Sequence, residues 1–417
     1  MNFTRTRFSF TAFLSLPMIF SIVFAPVALA RRNPPASQDS RATPQNSAPA
    51  QSQSRPLRKI IIDEDARGPA TTDQQAILAL IQSRQTRVLG ITVVTGDQWR
   101  DEEVAHTLRM LELIHRTDIP VVPGAVFPLD NSPQFIAAWQ KLYGKVIYQG
   151  AWNFPPGKTH APFFIPPLIE GAPHTKPSAE DAAHFLIRMV HRYPHQVTIY
   201  AGGPLTDLAL AITIDPQFAS LAQQLVVMGG SINPQTSDPE FRLNPRREFN
   251  FWMDPEASHA VLKADWAKIT DTPVDISIKT RLTKQMIAQI AASHSPAAQY
   301  IAKYADSEYM WDELAAIAWL HPSIITRTEK LYLDVSTDPG PSYGDTLAWP
   351  PGSEPAILIP NTTGTGKGSP PAGNACGACG GVNGPAQPVT VNVDLDTAAF
   401  YRDFISLMSR QTPKPRP

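Results

Sequence analysis

The stretch Lys59–Leu80, KIIIDEDARGPATTDQQAILAL, decides how the chain folds. KIIID (Lys59–Asp63) is a short β-branched run that reads as a strand, and it ends in three acids, Asp63, Glu64 and Asp65. A loop with Gly68 and Pro69 follows. Asp73 then opens a helix whose apolar face is Ala76, Ile77, Leu80 and Ile81. A strand, a loop and an amphipathic helix make the first half of a parallel crossover unit.

The same alternation continues to Asp275. Further runs are RVLGITVVTG (Arg87–Gly96), IPVVPG (Ile119–Gly124), VTIYAGG (Val197–Gly203) and QLVVMGG (Gln224–Gly230). Between two of them, Val104, Leu108, Leu111 and Ile114 share one face of the segment Asp101–His115. The pattern predicts an α/β fold, an open and mostly parallel sheet flanked by helices. Right-handed crossovers leave the strand carboxyl ends on one edge, where ligands bind in such sheets. After Leu282 the chain reads as mostly helical, with strands returning at Lys330–Ser336 and Pro388–Val393 and a last helix near Thr397–Ser409.

Composition narrows the function classes. With 43% apolar residues in a chain of 417, a sizeable core is possible, and a formal net charge of −1 lacks the basic stripe that nucleic-acid binding requires. Arg5 and Arg7, an apolar stretch from Phe8 to Val27, and the close Ala28-Leu29-Ala30 predict a secretory signal peptide cleaved after Ala30. An uncleaved membrane anchor is the alternative. Either way the folded part is expected outside the cytoplasm, secreted or periplasmic. Residues 31–56, rich in Pro, Ser, Gln and Ala, read as a disordered tether ahead of a catalytic domain over residues 57–412. A Gly/Pro-rich loop at 361–387 holds the only cysteines, Cys376 and Cys379, for which a small loop disulfide is expected.

Carboxylates crowded at the end of a first parallel strand repel one another unless a cation or protons relieve them. A hard cation such as calcium, which takes six to eight oxygens, is the natural relief. Surface acids at a strand end or a helix N-cap are the other reading of the cluster taken alone.

These residues resemble the inosine-uridine preferring nucleoside hydrolases and their purine-specific relatives. That family opens with D-x-D-P-G-x-D-D after its first strand. Here Asp63 and Asp65 resemble the first two acids and Asp73 the last, while Thr72 stands where another acid is usual and the loop is longer. The likeness continues through VLGITVVTGDQ (Val88–Gln98), RTDIPVVPGA (Arg116–Ala125), GGPLTDLALAITIDP (Gly202–Pro216), LVVMGGSI (Leu225–Ile232), REFNFWMDPEAS (Arg247–Ser258) and MWDELAAIAWLHP (Met310–Pro322). The order of the segments agrees throughout.

The resemblance implies a calcium ion held by Asp65, Asp73, Asp312 and the backbone carbonyl of Gly202, with Asp63 in support. It implies that the ribose 2′- and 3′-hydroxyls complete the shell and that Asp65 is general base on a calcium-bound water, which splits the N-glycosidic bond. Glu248 and Asn250 are then expected to bind the sugar, with Asp97 and Asn244 as further partners. Trp311 precedes Asp312 where many members have a histidine. This is similar to the purine-specific branch, in which an aromatic residue stacks on the base and assists its departure; Trp139 is a candidate for the opposing wall. The implied partner is a small-molecule nucleoside, probed by a homo-oligomeric enzyme. A binding protein of the same fold that keeps the metal and lacks turnover is the competing reading.

Overall fold

Ile60, Ile61 and Ile62 are fully buried in strand β1 (Arg58–Glu64). Ile60 and Ile62 enter one apolar cluster and Ile61 the other, so this strand is covered on both faces, as its uninterrupted apolar run requires. The protein is described by a computed structural model over residues 56–153, 157, 159–353, 355 and 387–415. The expected signal peptide, nearly all of the expected tether, and Cys376 and Cys379 lie outside the described residues.

The other strands are β2 (Thr86–Val93), β3 (Val121–Pro123), β4 (Val197–Ala201), β5 (Gln224–Met228), β6 (Ile269–Thr272), β7 (Ile325–Val335), β8 (Thr346–Trp349) and β9 (Pro388–Leu395). Among the described residues they form one nine-stranded sheet in the order β3-β2-β1-β4-β5-β6-β9-β7-β8. All neighbours from β3 to β9 pair in parallel, and β7 runs antiparallel to both β9 and β8. The five strands expected from the first half of the chain are present, as are the two late ones. Two short strands, β6 and β8, have no counterpart in the expectations.

One face of the sheet packs against helices Thr72–Gln82, Trp311–Leu320 and Thr397–Met408, where Phe400 and Phe404 are fully buried. The other packs against Ala182–Arg192, Thr206–Ile214 and Pro255–Leu262. A third apolar cluster, containing Trp99, Trp139, Trp152, Trp252 and Tyr343, is drawn from segments that follow the strands.

The strand order positions the site. From β1 the chain steps outward to β2 and β3, then returns to place β4 on the other side of β1. Loops leaving β1 and β4 therefore diverge to opposite faces and open a crevice between them, the usual ligand position in open α/β sheets. Register brings the ends level: Asp63 lies opposite Thr92 on one side and Ala201 on the other.

Candidate active site

At that crevice a cleft of about 650 Å³ is lined by Asp73, Asp97, Gly202, Glu248, Asn250, Trp311 and Asp312, together with Arg67, Thr72, Tyr148, Met228, Glu240, Phe241, Phe249, Val274 and Glu308. Seven residues singled out in the sequence thus meet in one place although they span 240 positions of chain.

Asp65 lies just beneath, almost fully buried. The backbone N–H of Asp97 donates to its Oδ2 at 2.9 Å. This approach needs Gly96, where an added Cβ would stand 2.0 Å from the same oxygen. Gly202 is constrained in the same way, because a Cβ there would stand 1.8 Å from Glu64 Oε2. Asp63 faces away from the cleft acids toward Asp207. It accepts from Thr92 Oγ1 at 2.5 Å, and burial with the nearby Asp207 charge pushes its carboxyl well above the usual range.

Thr72 has a structural role at the position where the family resemblance leads one to expect an acid. Its N–H donates to Glu308 Oε1 at 3.0 Å, the N–H of Asp312 donates to its Oγ1 at 3.1 Å, and its hydroxyl meets Glu313 Oε2 at 2.6 Å. The first turns of two helices are thereby tied together, which sets Asp73 beside Asp312. Thr71 Oγ1 donates to Asp73 Oδ2 at 2.9 Å, and Tyr200 Oη donates to the Asp312 carbonyl at 2.9 Å.

Glu248 caps the short helix Phe249–Met253, accepting from the N–H groups of Gly230 (2.8 Å), Asn250 (2.8 Å) and Phe251 (3.1 Å). Burial lifts its carboxyl to about 7 against the pull of those three bonds. The Asn250 side-chain amide donates to the Gly202 carbonyl at 2.6 Å and to the Met228 carbonyl at 3.2 Å. The E-F-N segment therefore holds the ends of β4 and β5 in place as well as lining the cleft.

Arg67, from the longer loop, pairs with Asp97 at 3.0 Å and with Glu308 at 3.5 Å, and donates to Tyr148 Oη at 3.2 Å. It is the only cationic side chain among the described residues lining the cleft. Trp311 packs its ring against Phe241 (centroids 6.0 Å apart) and Tyr309 (4.7 Å), so one wall of the cleft is aromatic.

Two expectations are corrected. Trp139 does not face the cleft: its indole N–H donates to the Gly340 carbonyl at 2.8 Å, Arg247 lies over its ring at 4.7 Å, and it belongs to the third apolar cluster. Helical spacing placed its apolar ring in local packing. Phe241 supplies the aromatic neighbour of Trp311 instead. Asn244 lines a small adjoining hollow, where its Oδ1 accepts from Arg247 Nη1 at 2.9 Å. Trp139→Phe is expected to cost about 1–3 kcal/mol of stability through lost packing and a lost hydrogen bond. Nucleoside turnover should stay within about threefold, as for other changes remote from a site; denaturant unfolding measured beside kinetics checks both.

The donor chemistry fits a hard cation. Burial comes first, and neighbouring carboxylates add to it, in pushing Asp65, Asp73 and Asp312 well above the usual range. Asp312 Oδ1 and both oxygens of Glu64 are buried with no hydrogen-bond partner among the described residues. Such oxygens are costly to leave bare, and a divalent ion satisfies them. No three acidic, histidine or cysteine side chains among the described residues are already gathered in metal-binding geometry. The fit therefore rests on donor type, crowding and the orphaned oxygens.

Arg67, Tyr148, Glu240, Phe241 and Glu308 were not anticipated as site residues. Arg67 carries a signal in retrospect, as the one cation between Asp63 and Asp73. The others have no spacing that marks them.

Comparisons with known proteins bear on the family and the fold. The family model described as inosine-uridine preferring nucleoside hydrolase matches residues 60–402. A protein named probable uridine nucleosidase 2, from Arabidopsis thaliana, is 30% identical over 285 residues, covering 65% of this chain and 80% of its own. The pyrimidine-specific ribonucleoside hydrolase RihA of Shewanella woodyi is 30% identical over 249 residues, covering 60% and 70%. Among solved structures, the purine-preferring ribonucleoside hydrolase from Gardnerella vaginalis superposes with a TM-score of 0.61 at 20% identity, covering 84% of this chain and 98% of that one. A plant nucleoside hydrolase gives 0.59 at 23% identity, covering 85% and 99%. With the matched residues spanning the sheet, its flanking helices and the carboxylate-lined crevice, the chain belongs to the inosine-uridine preferring nucleoside hydrolase family.

Proposed function

We propose that the protein hydrolyses the N-glycosidic bond of ribonucleosides with calcium as its cofactor, and that it prefers purine nucleosides. The observation that carries this reading is the meeting, in one cleft, of a buried carboxylate cluster with an aromatic wall of Trp311 and Phe241. Calcium bound by Asp65, Asp73, Asp312 and the Gly202 carbonyl would engage the ribose diol and make an attacking water more acidic.

The chain's own groups supply the rest. One oxygen of Asp65 is fixed by the Asp97 N–H, which aims the other for proton abstraction. Positive charge builds on the ribose as the C–N bond lengthens, and the nearby carboxylates stabilise it. Asp97, oriented by Arg67, together with Glu248 and Asn250, offers polar contacts for sugar hydroxyls. Trp311 and Phe241 offer faces on which a base can stack.

Purine preference is supported by that wall and by the absence of histidine from the described residues that line the cleft. The names of the uridine and pyrimidine-specific relatives favour the opposite preference. Comparing kcat/KM for inosine, guanosine, uridine and cytidine decides between them. We expect the purine nucleosides to lead, and Trp311→Ala to lower kcat/KM for inosine by about tenfold or more, the scale of one lost stacking contact. A lead for uridine that survives Trp311→Ala would reverse the preference.

We also infer export, from the basic start, the apolar stretch and the Ala-Leu-Ala close at Ala30, and a homo-oligomer from the family resemblance. Intact mass of the mature chain and its solution mass test these.

A further inference from the structure

The reading above leaves one demand of the chemistry without a donor. A nucleobase leaves poorly as an anion, so C–N cleavage needs a proton delivered to the base as the bond breaks. No histidine is among the described residues lining the cleft. Glu248 is engaged by three backbone N–H groups. Glu308 pairs with Arg67 and accepts from Thr72, and Asp97 also pairs with Arg67.

Glu240 remains. It lies in the short helix Pro239–Leu243, directly before Phe241, and lines both the cleft and the adjoining hollow. Phe241 packs on Trp311, so Glu240 stands on the wall against which a base would rest. Among the described residues its carboxyl has no hydrogen-bond partner, whereas its backbone N–H is held by Asp238 Oδ1 at 3.0 Å. A cleft-lining acid with a fixed backbone and an uncommitted carboxyl is suited to serve a ligand.

We propose that Glu240 is the general acid that protonates the departing base, an inference that rests on the hydrolase reading. The electron pair of the C1′–N bond passes to the base, and the Glu240 carboxyl proton goes to a ring nitrogen of that base. The oxygen of water bonds to C1′, and a proton of that water goes to Asp65. Ribose and neutral base result. Exchange of one proton with solvent then returns Glu240 to its acid form and Asp65 to its base form.

The surroundings favour a protonated Glu240 at neutral pH. Burial raises its carboxyl to about 8, and the charges of Asp238 on its own turn, Glu248 at the start of the next helix and Asp97 from the loop after β2 add to that. Arg67 and Tyr148 line the same cleft and Arg247 the adjoining hollow. The acids thus face Glu240 from three segments, with two arginines nearby.

The test compares Glu240→Gln with the wild type on inosine and on p-nitrophenyl ribofuranoside, whose leaving group needs no proton. The expected result is a fall of about 100-fold or more in kcat on inosine, with the nitrophenyl substrate within about threefold of wild type. Wild-type kcat on inosine should also decline above about pH 8, and that limb should vanish in Glu240→Gln. Equal losses on both substrates, or an inosine kcat within about threefold of wild type, would overturn the proposal. Should the glutamine variant fail to fold, Glu240→Asp, which withdraws the acid by one methylene, is held to the same split between substrates. If the wild type cleaves neither substrate, the hydrolase reading fails instead.

Discussion

Asp65→Asn is expected to leave a folded protein whose nucleoside hydrolysis has dropped by about 10²–10⁴-fold, the scale of a lost general base. Asparagine keeps the shape and retains an oxygen for the Asp97 N–H, so the loop that closes over position 65 should be preserved. Stability should not follow activity downward. In the folded protein Asp65 is raised by burial, then by Asp97, Asp73, Glu103 and Glu64, so its charge is a burden when no cation is present. A neutral isostere removes that burden, and the chelated variant should melt at or above the temperature of the chelated wild type. A large loss of Tm in the chelated variant would instead mean that Asp65 acts chiefly as a structural carboxylate.

The second large effect is on stability, as a function of calcium and pH together. Glu64, Asp73, Asp312 and Glu313 share the upward shift of Asp65, with desolvation first and neighbouring carboxylates after it. The raised folded values lie above the ordinary values of 3.8 and 4.5, so the folded chain holds more protons than the unfolded chain over the interval between them. The stability these groups contribute is complete below about pH 4 and is lost as pH rises through the raised values. After chelation, Tm should therefore decline as pH rises above the ordinary carboxylate values and through the raised ones, where these groups ionise. Calcium should reverse the trend, because binding expels those protons and neutralises the charges. At a calcium concentration about 100 times its Kd the gain is about 2.7 kcal/mol. The gap between calcium-loaded and chelated melting curves should thus widen with pH. A gap that stays at zero at pH 8 would remove calcium from the account.

The opening stretch carried much of what could be read before the structure. Ile60, Ile61 and Ile62 mark a buried strand by type alone, and the acids after them mark its functional end. Strand β6, ITDT, was hidden because only Ile269 looks apolar: Asp271 is fully desolvated in the sheet, a cost no local pattern predicts. Strand β8 is equally short and takes its pairing from β7.

The candidate residues that the sequence pointed to and that lie at or beside the cleft sit at strand ends or helix starts, where the backbone dictates direction. Asp65, Gly202 and Asp312 are of this kind. Those missed come from loops and short turns whose place is set by distant packing. Arg67 is positioned by Asp97 and Glu308, and Glu240 and Phe241 by a five-residue helix capped by Asp238. Trp139 shows the converse. An aromatic residue at helical spacing was read as a wall, and Gly340 and Arg247 claim it for packing.

The most direct test is release of free ribose from inosine and uridine by the purified protein, measured with calcium, after chelation and after calcium is restored. The account predicts ribose from at least one nucleoside, lost on chelation, recovered with calcium and absent in Asp65→Asn. Ribose release that is indifferent to chelation and to Asp65→Asn, or no release from any nucleoside in the presence of bound calcium, would contradict it.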